Sequence, residues 1–186
     1  MNMRMPTLLA AAVALTASAV QAADIKPAVV FDMGGKFDRS FNEGIYNGVE
    51  RFREETGTEY LEFEVTNESQ REQALRRMAR NGADIVIAVG FAQAPAVEVV
   101  AKEFPDTKFT LIDMVVDLPN VQSVVFNEHE GSFLVGMLAA MASESDAVGF
   151  VGGMDIPLIR KFACGYEQGV HYVDPDMQVY QNMTGT

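Results

Sequence analysis

Three side chains stand where chemistry could happen: Asp32, Phe41 and Asp113. Asp32 ends the apolar run Ala28-Val-Val-Phe31, and Asp113 ends Phe109-Thr-Leu-Ile112. A carboxylate after a buried strand either caps a backbone turn or faces the crevice beyond the sheet. If neighbouring strands carry the two acids, both face one crevice and can accept hydrogen bonds from the vicinal hydroxyls of a sugar. Phe41 comes after the tight turn that Gly34-Gly35 allows, and it is spaced with Ile45, Val49 and Phe52 as on one helix face. That spacing suits a core residue equally well. A first-turn ring that points out of the crevice could instead stack on a flat ligand.

The elements that must position these groups follow one another without a break. Strands are expected at 28–32, 59–65, 85–89, 109–112, 121–126, 148–151 and 178–183. Ile85 to Val89 is continuously apolar, as in a central parallel strand, while Glu59 to Val65 alternates and suits a sheet edge. Helices are expected between them. Ser40-Phe-Asn-Glu43 and Ser69-Gln-Arg-Glu72 read as capping boxes, and Pro95 and Pro157 suit first turns. A helix from about Glu130 to Ser143 should turn Phe133, Leu134, Met137, Leu138 and Met141 inward. The fold class is therefore α/β, a doubly wound parallel sheet with helices on both faces.

Composition narrows the function classes. Arg4, the apolar segment Leu8 to Val20 and Val20-Gln-Ala22 form the charged, apolar and small-residue regions of a secretory signal over residues 1–22, which implies a periplasmic location. Without that segment and its one charge, the net charge is −13 rather than −12. A surface this acidic offers no footprint for nucleic acid and little for an anionic membrane. Arg76, Arg77 and Arg80 sit among acids and read as a solvated helix face. The single Cys164 cannot form an internal disulfide, and its apolar setting beside Phe162, Ala163 and Tyr166 suits a buried inert thiol.

Catalytic signatures are missing. The chain has no G-x-S-x-G, H-E-x-x-H, Walker loop or paired C-x-x-C. Gly34-Gly35 is not a dinucleotide fingerprint, and His129 and His171 have no second histidine or cysteine at ligand spacing. A receiver-type phosphorylation site also uses strand-end acids, but a secreted chain meets neither the kinase nor its ATP. Two function classes stay open. One is a binding module without catalysis or cofactor; the other is a secreted nucleoside hydrolase in which Asp32, Asp38 and Asp113 hold a divalent cation and activate water.

With these residues laid out, the chain resembles the basic membrane protein family of bacterial substrate-binding proteins, the purine-nucleoside receptors of ABC importers. The likeness rests on Asp32-Met-Gly-Gly-Lys-Phe-Asp-Arg-Ser-Phe-Asn42, Lys108 to Asp113, Asp117-Leu-Pro-Asn-Val121, Glu130 to Gly136, and Val148 to Met154 with Pro157. It implies a type I periplasmic-binding-protein fold, with an N-terminal lobe over 23–126 and a partial second lobe over 127–186. It further implies that Phe41 stacks on a nucleobase and that Asp32 and Asp113 contact the nucleoside. Ser40, Asn42, Gly90 and Phe91 would line the cleft beside them. The partners implied are a purine nucleoside and a membrane permease, with no cofactor and no metal. Members of the family run on well beyond the point matching Thr186, so a truncated product is expected that keeps half of the ligand cleft and binds weakly, or a remnant that does not bind.

Overall fold

The computed structural model describes residues 25–185; the expected secretory signal lies outside the described residues. Five strands form one parallel sheet: β1 (Pro27–Phe31), β2 (Leu61–Glu64), β3 (Ile85–Val89), β4 (Lys108–Ile112) and β5 (Val121–Val124). Their spatial order is β2-β1-β3-β4-β5, so the continuously apolar β3 is central and the alternating β2 is an edge, as its pattern predicted. Helices α1 (Phe41–Thr56), α2 (Arg71–Arg80) and α3 (Ala94–Glu103) make the crossovers.

Burial explains the sequence of each layer. All five residues of β1 are buried, as a strand covered on both faces must be. One side of the sheet packs Leu75 and Met78 of α2 and Val97 and Val100 of α3 against Val30, Val86, Phe109 and Leu111. The other side packs Val29, Phe31 and Val89 against Ile45, Tyr46 and Val49 of α1.

A second unit begins at α4 (Glu128–Ala142) and continues through β6 (Ala147–Gly152), α5 (Pro157–Val173) and β7 (Gln178–Met183). β6 and β7 pair in parallel as a separate two-stranded sheet. Small residues of α4 and α5 set how closely the helices approach, and the Phe133 and Tyr172 rings, 5.6 Å apart, add to the contact. A Cβ on Gly136 would strike the Tyr166 carbonyl, one on Gly165 the His129 carbonyl, and one on Gly169 the Phe133 carbonyl. The two backbones approach closely because these positions are glycine.

That contact overturns the sequence expectation for three of the five large α4 residues and leaves Phe133 and Met137 half-buried. Gly136 and Ala140 face inward, while Leu134, Leu138 and Met141 are among the most exposed apolar side chains, the last two at 64 %. Cys164 is exposed, not buried as expected; it shares α5 with the buried Ala163 but lies on the outer side, where Gln168 Nε2 donates to its sulfur. The expected capping boxes also give way to other solutions. Neither Ser40 nor Ser69 caps a helix with its hydroxyl; Ser69 bonds Asn67, and a 3-10 turn at Glu68–Gln70 leads into α2. Arg76 is not merely solvated, since it pairs with both Glu72 and Glu103 and so fastens α2 to α3.

Candidate functional site

The carboxyl ends of β1, β3 and β4 carry the candidate groups. Asp32 follows β1, and the next residues form the turn in which Gly34 and Gly35 have φ of 109° and 74°. The loop is then pinned by two side chains. Asn42, buried at the start of α1, accepts from the Asp32 N–H through Oδ1 (3.2 Å) and donates from Nδ2 to Asp38 Oδ2 (3.2 Å). Asp38 accepts the backbone N–H groups of Ser40, Asn42 and Glu43 at 2.8, 3.1 and 3.1 Å. Burial pushes the Asp38 carboxyl up, but these hydrogen bonds outweigh it and hold the group below its ordinary value. Asp38 is the cap of α1 that Ser40 was expected to be.

This anchoring leaves Phe41 at the first position of α1, 38 % exposed and outside the apolar clusters. The core role that its spacing allowed is taken by Ile45, Tyr46 and Val49, so the Phe41 ring is not part of the core. Lys36 N–H is held by Glu64 Oε2 at 3.0 Å, and the Lys36 ammonium pairs with Glu62. That hydrogen bond, against a smaller burial effect, raises the Lys36 pKa. The end of β2 therefore braces the glycine turn.

Asp32 itself is flanked on two sides. Its Oδ1 accepts from Arg71 Nε at 3.1 Å, and its Oδ2 lies 3.3 Å from where a Gly90 Cβ would be. Gly90 has φ of 99° and ends β3; a side chain there would press on Asp32 as well as strain the backbone. Phe91 follows in a 3-10 turn, half-buried. Beneath them the fully buried Gln93 donates from Nε2 to Val30 O (2.8 Å) and Val89 O (3.1 Å), tying the ends of β1 and β3 together.

Asp113 stands after β4 in the left-handed region, φ 76°, with its N–H donated to Val124 O at 2.7 Å. Burial pushes its carboxyl up, the nearby Glu128 carboxylate adds to this, and Lys161 partly opposes both. Lys161 on α5 reaches Glu128 Oε2 at 2.5 Å and Phe126 O at 2.6 Å, joining the second unit to the end of the first. Burial alone would raise the Glu128 carboxyl; the Lys161 hydrogen bond overrides it and lowers the pKa.

The two acids are not on neighbouring strands as expected, because β3 lies between β1 and β4. Two strand spacings set their backbones roughly 10 Å apart. They are poorly placed to share one diol, and a ligand touching both must reach across β3. Asp38, turned into the α1 N-terminus, is not gathered with them around a common point. Among the described residues no group of three His, Cys, Asp or Glu side chains stands together to hold a metal ion. Sequence reasoning missed Arg71, Gln93, Glu128 and Lys161. Their partners lie 33 to 63 residues away, apart from Gln93 to Val89 and Glu128 to Phe126, and no local motif announces them.

Comparison with known proteins decides the family. The model of the ABC transporter substrate-binding protein PnrA-like family matches residues 25–186. The chain belongs to this family. A CD4+ T-cell-stimulating antigen of Listeria monocytogenes is 33 % identical over 162 residues, which cover 84 % of this chain and 45 % of that protein. An ABC transporter nucleoside-binding protein, BmpA, of Lactococcus lactis is 32 % identical over 161 residues, covering 84 % of this chain and 46 % of that protein. A solved ABC transporter solute-binding protein of Aeropyrum pernix superposes with a TM-score of 0.76 at 34 % identity, over 87 % of this chain and 48 % of that one. The chain spans about half the length of the relatives it matches. For a member of the PnrA-like family, strand-end groups beside an exposed ring lie where open α/β sheets bind ligands.

Proposed function

We propose that the first unit forms one wall of a binding site for a purine nucleoside, in a protein that captures the solute outside the cytoplasmic membrane for an ABC importer. The observation that carries this reading is the placement of Phe41. Its ring is exposed at the start of α1, on the same sheet edge as Asp32, Gly90, Phe91 and Asp113. A flat base stacked on Phe41 accounts for the ring, and hydroxyls account for the acids. The strand-wide separation of Asp32 and Asp113 favours a ligand with a base and a sugar over a single small polyol. The 32 % identity to a nucleoside-binding protein supports the same ligand class. The hydrolase alternative needs three aspartates around one cation, an arrangement that the capping role of Asp38 does not favour.

A single wall, with one stack and a few hydrogen bonds, predicts a dissociation constant on the order of 1 mM. Titrating the chain with inosine, guanosine and adenosine, followed by amide NMR, should give shift changes clustered at Phe41, Gly90, Phe91 and Asp113. Phe41→Ala should weaken binding by about 1–3 kcal/mol, as loss of a base–aromatic stack does. Unchanged affinity in Phe41→Ala, or free base appearing during incubation with a divalent cation, overturns the reading.

A further inference from the structure

Arg71 was not singled out by sequence, yet it touches the carboxylate at the centre of the site. It is the first residue of α2, and it reaches Asp32 from the β2 side of β1. Gly90 approaches the same carboxylate from the β3 side. Both side chains of the pair are largely shielded, 12 % exposed for Arg71 and 18 % for Asp32. A shielded ion pair is screened little by solvent, so it restrains both partners more than a surface pair would. The hydrogen bond from Arg71 Nε uses Oδ1, which leaves Oδ2 over the Gly90 backbone as the remaining acceptor.

We infer that Arg71 is the positioning and selectivity residue of this wall: it holds Asp32 by Oδ1, presents Oδ2 to the ligand and cancels the carboxylate's charge, so that the wall takes neutral hydroxyl-bearing solutes over amines. This rests on the nucleoside-binding reading for its ligand class. Without Arg71 the carboxylate is free to rotate, and its charge is uncompensated. The surface then weakens toward a neutral hydroxyl and strengthens toward a cation.

The test compares adenosine with 5′-amino-5′-deoxyadenosine, a cation at neutral pH, on the full chain. Arg71→Met keeps the aliphatic bulk and should weaken adenosine about tenfold, as the loss of a charge-assisted hydrogen-bonding arrangement does. It should also shift the preference toward the amine, while Arg71→Lys restores the preference for adenosine. In an Asp32→Asn background, Arg71→Met should alter neither value. An unchanged ratio of the two affinities in Arg71→Met, or an equal change in the Asp32→Asn background, overturns the inference. A purely structural role would lower stability without moving that ratio. Should the wild-type chain bind neither compound, the nucleoside reading fails, and the Arg71 Nε–H signal decides the rest. Slow exchange in wild type that becomes fast in Asp32→Asn sustains the positioning role. Exchange as fast as that of exposed arginines in wild type removes it.

Discussion

The segments β1-α1-β2 and β6-α5-β7 are one motif built twice, yet they end in different environments. Each is a strand, a glycine-pair turn, a helix and a parallel partner strand. β1 also pairs with β3 on its other edge and is buried throughout, while β6 has one partner and alternates between exposed and covered residues. Val151, next to last in that apolar strand, is 73 % exposed. An apolar run therefore specifies a strand, and its neighbours decide whether that strand becomes a core. The second unit obtains its cohesion from glycines that bring α4 against α5 and from a smaller apolar cluster of Ala140, Tyr166, Val170 and Met177 with Val148, Phe150 and Val179. The first unit obtains it from large side chains layered on both faces of a sheet.

The sharpest way to break this comparison is to remove a large side chain from each unit. Phe109, in β4, is buried under α2 and α3; Phe109→Ala should cost about 3–5 kcal/mol in chemical denaturation, counting lost transfer energy and the cavity left behind. Leu138→Ala, of similar chemistry on the open side of α4, should cost less than about 0.5 kcal/mol. Comparable losses at the two positions would show that the α4 stripe is covered in solution, and the contrast between the units would disappear.

Glycines offer the second comparison. Gly48 in α1 has open space where a Cβ would stand, so Gly48→Ala should stabilise by about 0.5–1 kcal/mol through helix propensity. Gly169→Ala drives a methyl into the Phe133 carbonyl and should instead destabilise by about 1–3 kcal/mol. The same substitution thus changes sign between units. A gain at both sites would mean that α4 and α5 part easily and that their close approach does not hold the second unit together.

The site has a comparison of its own, between two candidate caps of α1. Asp38→Ala removes three backbone hydrogen bonds and should cost about 1–2 kcal/mol, whereas Ser40→Ala should stay within about 0.5 kcal/mol. The Asp38 pKa is lowered in the fold, so its contribution is present above the ordinary value of 3.8 and is lost as pH falls through the lower folded value. The stability difference between wild type and Asp38→Ala should accordingly close in acid.

This contrast also marks what the sequence could and could not disclose. Ser40 and Glu43 have the spacing of a capping box, and Asp38 has none, because an aspartate two residues before the expected cap is not part of the pattern. The succession of strands and helices along the chain and the buried state of β1 were legible from apolar runs and turn residues. Which face of α4 turned inward was not. Its large residues follow helical spacing, but the closest approach to the partner helix is set by Gly165 and Gly169 some thirty residues on. Asp32, Phe41 and Asp113 were legible because strand ends and first turns are local features. The Arg71 pair was not, since it joins the first and second crossovers across a sheet whose order periodicity does not reveal.

The smallest expected effect belongs to Asp113, and its sign separates a group kept for stability from one kept for binding. Asp38 and Asp113 both follow the carboxyl end of a strand, but their surroundings push them in opposite directions. For Asp113, burial and the Glu128 carboxylate disfavour ionisation more than Lys161 favours it, so the folded pKa lies above 3.8. The folded state then binds more protons than the unfolded state as pH rises from 3.8 through the folded value, and stability falls over that window. Asp113→Asn removes the cost of ionisation. Asparagine also tolerates the left-handed backbone at φ 76°, so the turn is kept. Above the folded pKa the variant should melt about 1–2 °C higher than wild type, and below pH 3.8 the two should converge. Binding should move the other way, because the amide has one neutral acceptor oxygen where the carboxylate has two charged ones. A variant that is less stable at neutral pH and binds nucleoside as well as wild type would make Asp113 a turn residue and remove it from the wall.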